Sequence, residues 1–199
     1  MLIFSFPLSA HFKFKSYGHN SKSSHIFKGI VWLIAKMIGC GVISIFFEHM
    51  KPEDAIQVSS LVWSTFAEFE APGYKQEGID EFKQYILPEN INSRCNCGNY
   101  FVICCKENDE IVGVLAMREN KHISLMFVKK EHQRKGFARK LFEFALESCC
   151  NSDSTLQAIT VNSSRYAVEI YEKLGFIKID SEQETHGIRF TPMKFIVRY

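Results

Sequence analysis

The chain has 199 residues, 46% of them hydrophobic, and a formal net charge of +2. This length and apolar content suit one globular domain with a sizeable core. The charged residues are unevenly distributed along the chain. Residues 1–47 contain five lysines and no acidic residue, whereas the rest of the chain contains 19 basic and 22 acidic residues. A mildly acidic remainder argues against a nucleic-acid-binding protein that relies on a basic surface.

The first 41 residues differ in composition from the rest of the chain. They include most of an apolar run, residues 29–47, which is about long enough to cross a membrane. However, Lys36 lies inside this run, where a charge costs roughly 2.5–3.5 kcal/mol on insertion. We therefore predict an N-terminal extension of uncertain role (residues 1–41), with an amphipathic helix near residues 26–38, before a main domain (residues 42–199). A membrane tether is the alternative, but we do not expect a membrane partner.

The seven cysteines indicate reduced thiols rather than a disulfide framework. Their number is odd, four of them form two adjacent pairs, and most lie in apolar runs, as expected of buried thiols in a cytoplasmic protein. Cys95 and Cys97 carry zinc-ligand chemistry, but no second Cys or His pair stands at ligand spacing. We therefore predict no metal site and a cytoplasmic location.

The first elements of the main domain are a strand and two helices. The strand is predicted over Val42–Glu48, and Pro52 with the acids after it starts a helix that extends to about Phe69. The residues predicted on the buried side of this helix are Ile56, Leu61, Val62, Phe66 and Phe69. A second helix is predicted over Gln76–Leu87, and a polar loop over Asn90–Asn99.

Short polar connections then join three apolar segments, which favours an antiparallel meander. These strands are predicted over Tyr100–Lys106, Glu110–Arg118 and Lys121–Val128. A helix that reaches Cys150 comes next. The remaining predicted elements are a strand over Leu156–Val161, a helix over Ser164–Leu174, and strands over Phe176–Ile179 and Arg189–Arg198.

A basic turn, Gln133–Ala138, connects the third strand of this meander to the helix after it. Free backbone N–H groups and the helix dipole make such a position suitable for a phosphate. Gly136 allows the ligand to approach the backbone closely. The alternative is a surface turn whose Lys and Arg side chains are simply solvated.

The turn matches the Gln/Arg-x-x-Gly-x-Gly/Ala signature of the GNAT N-acetyltransferases at Gln133, Gly136 and Ala138. A second stretch, Ile159–Phe176, resembles the GNAT motif that comes after the cofactor helix, because it contains Ala-x-x-x-Tyr-x-x-Leu-Gly-Phe. One departure is Ser164, which stands where many relatives carry Asn. The resemblance implies an α/β (α+β) fold, a mixed and mostly antiparallel sheet of about seven strands with helices on both faces.

The same resemblance implies an acetyl-CoA site in the gap between the strands before and after the cofactor helix. Main-chain groups of Met126, Phe127 and Val128, freed by a bulge, would hold the pantetheine arm. The residues implied for the pyrophosphate are Gln133, Arg134, Lys135, Gly136, Phe137, Ala138 and Arg139. Asn162, at the end of the next strand, is a further candidate contact to the pantetheine arm.

Tyr171 is the residue that the resemblance places beside the coenzyme sulfur, where a protonated phenol can act as a general acid. The alternative is that Tyr171 only packs in the core with Tyr166 and Phe176. The general base stays open among several candidates: Glu68, Glu70, Glu119, His122 and Glu184. A water chain in place of a side-chain base is the alternative.

These patterns predict an N-acetyltransferase that moves an acetyl group from acetyl-CoA to a small-molecule or peptide amine by direct attack in a ternary complex. The alternatives are a non-catalytic acyl-CoA-binding module and a membrane-tethered acetyltransferase. GNAT proteins often dimerise, so a homodimer is among the expected assemblies, and no nucleic-acid partner is expected.

Overall fold

A nine-stranded sheet with helices on both faces makes up the described part of the protein, which is residues 32–38, 41–185 and 187–198 of a computed structural model. The strands are β1 (Trp32–Ile38), β2 (Gly41–His49), β3 (Tyr100–Glu107), β4 (Glu110–Arg118), β5 (His122–Val128), β6 (Ala158–Ser163), β7 (Ile177–Lys178), β8 (Gln183–Thr185) and β9 (Ile188–Ile196). The helices are α1 (Ala55–Phe69), α2 (Gln76–Tyr85), α3 (Pro88–Asn96), α4 (Phe137–Ser152) and α5 (Val168–Leu174).

The order of the strands confirms the predicted fold class. The sheet runs β1-β2-β3-β4-β5-β6-β9-β7, and β8 pairs with β9. Neighbouring strands are antiparallel except β5 and β6, which are parallel. One buried cluster joins α4 and α5 to one face of the sheet, and a second joins α1, α2 and α3 to the other. Strand β4 lies between the two clusters, and its seven central residues are buried.

The sheet begins earlier than the sequence predicts. The amphipathic helix expected near residues 26–38 is wrong for residues 32–38, which form β1 and pair antiparallel with β2 in a continuous register from Trp32↔Phe47 to Ile38↔Gly41. Residues 26–31 lie outside the described part. No helix in that part is long and apolar enough to cross a membrane. The division of the chain at residues 41 and 42 stays a prediction.

Helix α1 has the predicted extent, and three of the five residues predicted on its buried side are confirmed as buried. Val58, Leu61, Val62 and Phe66 are buried, whereas Ile56 is 71% exposed. The predicted loop over Asn90–Asn99 is also wrong, because most of it is helix α3. Leu87 is extended, as the residue before a proline prefers to be, and Pro88 occupies the first turn of the helix, where its missing N–H costs nothing.

Candidate active site

Strands β5 and β6 separate after only two residue pairs. His122 pairs with Thr160 and Ile123 with Val161, and no pairing continues beyond them. A bulge coincides with this separation, since Ala116 of β4 pairs with Leu125 while Met117 pairs with Ile123, which leaves Ser124 without a partner. Bulges bend the strand that carries the extra residue. A bulge is therefore present in the predicted strand, but it frees Ser124. Met126, Phe127 and Val128 instead pair in register with β4 and are unpaired only on the side of the gap that opens between β5 and β6.

A cavity of about 500 Å³ occupies this gap. Of the predicted cofactor residues, Met126, Phe127 and Asn162 line it, and so does the predicted acid, Tyr171. Val128 does not line the cavity, and its carbonyl accepts a hydrogen bond from Nε2 of Gln133 at 3.1 Å. This hydrogen bond links the basic turn to the end of β5.

The basic turn leaves the N-terminus of α4 open. Gly136 is the residue before the helix and has φ +85°, and no side chain in the described part caps this end. The first amide of the helix region to donate to a main-chain carbonyl is that of Lys140, which bonds to Gly136 O at 3.1 Å. A Cβ at Gly136 would meet no heavy atom within 4 Å. Free amides and open space are the features that an anion site at a helix N-terminus requires.

The side chains of the turn have different environments. Arg134 and Lys135 are exposed and, within the described residues, form no ion pair, whereas the ring of Phe137 is buried near Phe47 with 6.5 Å between the ring centroids. Ala138 is half-buried against the core. Arg139 donates from Nη2 to the carbonyl of Lys173 at 2.7 Å. Arg134 and Lys135 therefore carry the free charges of the turn, and Arg139 ties α4 to the end of α5.

Tyr171 on α5 is 4% exposed and faces the cavity. Its ring packs edge-on against Phe176, with 5.2 Å between the ring centroids. Tyr171 therefore packs in the core, as the alternative prediction has it, and also lines the cavity. Tyr166, the other proposed packing partner, is 46% exposed. Burial raises the pKa of the Tyr171 phenol, and the charge of Glu70 raises it further. The phenol is therefore protonated at neutral pH.

Glu70 lies at the end of α1 and also faces the cavity. Its carboxyl accepts hydrogen bonds from the side chains of Ser164 and Tyr74. Burial raises the pKa of Glu70 to about 7, although both hydrogen bonds act in the opposite direction. A carboxyl group with this pKa is about half ionised at neutral pH, which suits a group that accepts a proton there.

Only two of the five candidate bases line the cavity, Glu70 and His122. The ring of His122 bonds through Nδ1 to Oγ1 of Thr160 at 2.8 Å, and burial lowers its pKa to about 4, which makes it a weak base. The other candidates engage lysines away from the cavity. Glu68 pairs with Lys130, Glu119 with Lys121 at 3.3 Å, and Glu184 with Lys75 at 2.5 Å.

The end of α1 contacts segments on both sides of the gap. Glu68 pairs with Lys130, which comes after β5, while the ring of Phe69 stacks on Tyr166, which comes after β6, at 5.1 Å between centroids. Glu70 then reaches Ser164. Ser164, which replaces the Asn of many relatives, therefore contacts a cavity carboxyl group.

Sequence reasoning missed several residues that line the cavity. Ser124 is one, and its Oγ is buried without a hydrogen-bond partner in the described part. A lone polar residue between apolar neighbours in a strand was the available signal. Two aromatic residues, Phe82 and Tyr85, were missed because their spacing on α2 also fits ordinary core packing.

Comparisons with known proteins agree with this geometry. A family profile described as an acetyltransferase (GNAT) domain matches residues 70–197, which is more than half of the chain. No curated protein sequence matches the chain.

Similar solved structures share the fold at low sequence identity. A GCN5-related N-acetyltransferase from Rhodopseudomonas palustris has a TM-score of 0.64 at 17% identity, covering 76% of this chain and 94% of its own. The PaiA N-acetyltransferase from Thermoplasma acidophilum, in complex with coenzyme A, has a TM-score of 0.64 at 16% identity, covering 77% and 99%. A chimera of spermidine N-acetyltransferase from Vibrio cholerae has a TM-score of 0.54 at 18% identity, covering 76% and 95%.

Proposed function

Because the chain belongs to the GNAT acetyltransferase family, we propose that it moves an acetyl group from acetyl-CoA to a primary amine by direct attack in a ternary complex. One observation carries the proposal. The gap between β5 and β6 contains a cavity that holds a protonated phenol, Tyr171, and a half-ionised carboxyl group, Glu70. Transfer from a thioester to an amine needs one group that gives a proton and one that accepts a proton.

The residues present fit a diphosphate at the basic turn. The uncapped end of α4 offers backbone donors, and the open space beside Gly136 lets an anion approach them. The free charges of Arg134 and Lys135 add attraction for the phosphates. Met126, Phe127 and Asn162 line the cavity and would contact the pantetheine arm. Val128 is the last residue of β5, and its carbonyl accepts the hydrogen bond from Gln133 of the basic turn. Coenzyme-bound acetyl supplies the thioester that the amine attacks.

Glu70 is the proposed base. It accepts a proton from the amine nitrogen, directly or through one water molecule, as the nitrogen attacks the acyl carbon. Its pKa near 7 lets it be ionised before the reaction and still hold the proton afterwards. Hydrogen bonding from Ser164 and Tyr74 favours the ionised form of the carboxyl group.

Tyr171 is the proposed acid. Its phenol keeps its proton at neutral pH because burial and the charge of Glu70 both raise its pKa. The proton of Tyr171 Oη is transferred to the sulfur that leaves. Proton transfer from a positioned side chain typically accelerates a reaction by about 10²–10⁴-fold.

A thiol-release assay with acetyl-CoA and a panel of primary amines tests this function. We expect amine-dependent release of free thiol that saturates in both substrates, and an acetylated amine identified by mass spectrometry. Saturable binding of acetyl-CoA without release of thiol for any amine would instead support the non-catalytic acyl-CoA-binding module.

A further inference from the structure

A wall of three stacked aromatic rings forms one side of the cavity. The ring of Phe66 lies between those of Tyr74 and Phe82, at centroid distances of 5.6 Å and 4.0 Å and interplanar angles of 21° and 23°. All three residues line the cavity. Phe66 is buried, and the two outer rings are half-buried. The wall is therefore packed on its inner side and offers apolar surface to a bound molecule.

The catalytic carboxyl group lies at the edge of this wall. Tyr74, an outer ring of the stack, donates its hydroxyl hydrogen to Glu70. An amine nitrogen near Glu70 therefore has an aromatic ring beside it, and the body of the same molecule has the stack to lie against. Aromatic rings next to a carboxylate favour a ligand with one positive charge and a flat apolar body.

The hairpin of β8 and β9 bounds the cavity against α2. A Cβ at Gly78 on α2 would lie 2.9 Å from Cγ1 of Ile188 and 3.0 Å from the carbonyl carbon of Gly187, so the two elements touch without spare room. The amide of Lys75 donates to the carbonyl of Gly187 at 3.3 Å. Ile188 and Phe190 line the cavity from this side. The hairpin thus closes one side of the cavity, whose whole volume is about 500 Å³ and is shared between the acceptor and the pantetheine arm.

The charges around the cavity do not suit a polycation. Two carboxyl groups, Glu70 and Glu81, and one guanidinium group, Arg118, line it. Even with both carboxyl groups ionised, they sum to a single negative charge. A polyamine with several positive charges would bring more charge than this lining can balance, and Arg118 would repel it.

We propose that the acceptor is a compact primary monoamine with an aromatic body, such as an arylalkylamine, which lies on the Tyr74–Phe66–Phe82 stack with its nitrogen at Glu70. This inference rests on the proposed function and specifies its acceptor. The bound ammonium group first releases one proton to solvent, and the neutral nitrogen then forms a bond to the acyl carbon while the carbon–sulfur bond breaks. One proton passes from nitrogen to Glu70, and the proton of Tyr171 passes to sulfur.

The test compares kcat/KM at saturating acetyl-CoA for 2-phenylethylamine, hexylamine, spermidine and a peptide with a free N-terminus, using the full chain. We expect 2-phenylethylamine to exceed each of the others by about tenfold or more. A preference for spermidine or the peptide, or equal values for 2-phenylethylamine and hexylamine, would overturn the inference while leaving the acetyltransferase function intact.

Two variants test whether the aromatic stack causes the preference for 2-phenylethylamine. Phe82→Leu removes a ring that lines the cavity, and we expect kcat/KM for 2-phenylethylamine to fall about tenfold, with little change for hexylamine and an unchanged KM for acetyl-CoA. Trp63→Leu is the matched control, because the ring centroids of Trp63 and Phe66 are 5.9 Å apart but Trp63 does not line the cavity. The amine preference of Trp63→Leu should be the same as that of the parent protein. Equal effects of both variants on the preference would contradict the proposed role of the stack.

Calorimetric titration separates a failure of this inference from a failure of the proposed function. If no amine releases thiol, the acetyltransferase function fails. Binding of 2-phenylethylamine and of spermidine to the protein saturated with coenzyme A then still decides the acceptor class. Tighter binding of 2-phenylethylamine supports the aromatic site, and tighter binding of spermidine overturns it.

Discussion

Glu70 and Tyr171 face the same cavity, and the charge of the Glu70 carboxylate adds to the effect of burial in raising the pKa of the Tyr171 phenol. The two groups come from distant parts of the chain, since Glu70 follows α1 and Tyr171 lies on α5. Burial raises the pKa of both, so the phenol stays protonated and the carboxyl group titrates near neutrality. An acid and a base with such separated pKa values are what acyl transfer to an amine requires.

Replacement of Tyr171 by Phe removes the proposed acid and keeps the ring that packs on Phe176. We expect kcat to fall by about 10²-fold or more, because the leaving sulfur loses its proton donor, while the Kd for acetyl-CoA stays unchanged. Steady-state kinetics and calorimetric titration measure the two quantities. Tyr166→Phe is the matched control, since Tyr166 is exposed and does not line the cavity. An unchanged kcat in Tyr171→Phe would exclude Tyr171 from the chemistry.

The activity should depend on pH through Glu70. Below pH 7 its carboxyl group is increasingly protonated and cannot accept a proton, so kcat/KM should rise with pH through about 7. No loss of activity from ionisation of Tyr171 is expected below pH 10, because its pKa is raised. Glu70→Gln keeps the shape of the side chain and should abolish the inflection near pH 7, with kcat/KM about 10²-fold lower, whereas the rise that comes from deprotonation of the amine substrate should remain. Persistence of the inflection in Glu70→Gln would assign it to another group.

The same pKa shift predicts that Glu70 contributes less to stability as pH rises from about 4.5 to 7, whereas the lowered pKa of His122 acts in the opposite direction over much of this range. In this range the unfolded chain releases the proton of Glu70, while the folded protein retains it. At this site the folded state therefore binds more protons, and the contribution of Glu70 to the free energy of unfolding falls by up to about 3 kcal/mol across the window. Glu70→Gln should be more stable than the parent at pH 8 and similar to it at pH 4. Urea denaturation at both pH values measures the difference, and equal differences at pH 4 and pH 8 would refute the buried-carboxyl explanation.

Much of the fold could be predicted because its signals are local. The meander of β3, β4 and β5 is indicated by apolar segments separated by short polar connections, and Asn108, Asp109, Glu119 and Asn120 adopt the positive φ angles that such tight turns require. Helix α3 was missed because its local composition is polar, although Ile91 is fully buried in the core.

The basic turn and Tyr171 could be found from sequence because each belongs to a continuous motif. The selection of Glu70 could not, because it depends on contacts between distant parts of the chain. Glu70 ends α1, whereas its partner Ser164 comes after β6, and the sheet brings them together. Burial raises the pKa of Glu70, and this burial arises only when the cavity is formed. The residues next to position 70 in the sequence therefore do not indicate it.

Loss of the Ser164 hydroxyl should shift the pH profile. The hydrogen bond from Ser164 lowers the pKa of Glu70 against the effect of burial, so Ser164→Ala should move the ascending limb of kcat/KM to higher pH and reduce activity most at pH 6 to 7. Ser163→Ala is the control, because the Ser163 hydroxyl donates to the main-chain carbonyl of Ser164 and does not bond to Glu70. A limb at the same pH in Ser164→Ala and the parent would show that this hydrogen bond does not tune Glu70.

Alanine variants at two glycines distinguish the effect of backbone strain from the loss of ligand binding. Gly136 and Gly98 have φ angles of +85° and +82°, and an added Cβ would meet no heavy atom within 4 Å at either position. Alanine at each should therefore cost about 1–2 kcal/mol of stability for the same conformational reason. Only Gly136 lies at the open N-terminus of α4, where the added methyl group would occupy the space through which a diphosphate approaches. We expect Gly136→Ala to weaken acetyl-CoA binding about tenfold or more, and Gly98→Ala to leave it unchanged, as measured by calorimetric titration beside thermal denaturation. Equal acetyl-CoA affinities in the two variants would mean that the amides after Gly136 do not bind the diphosphate.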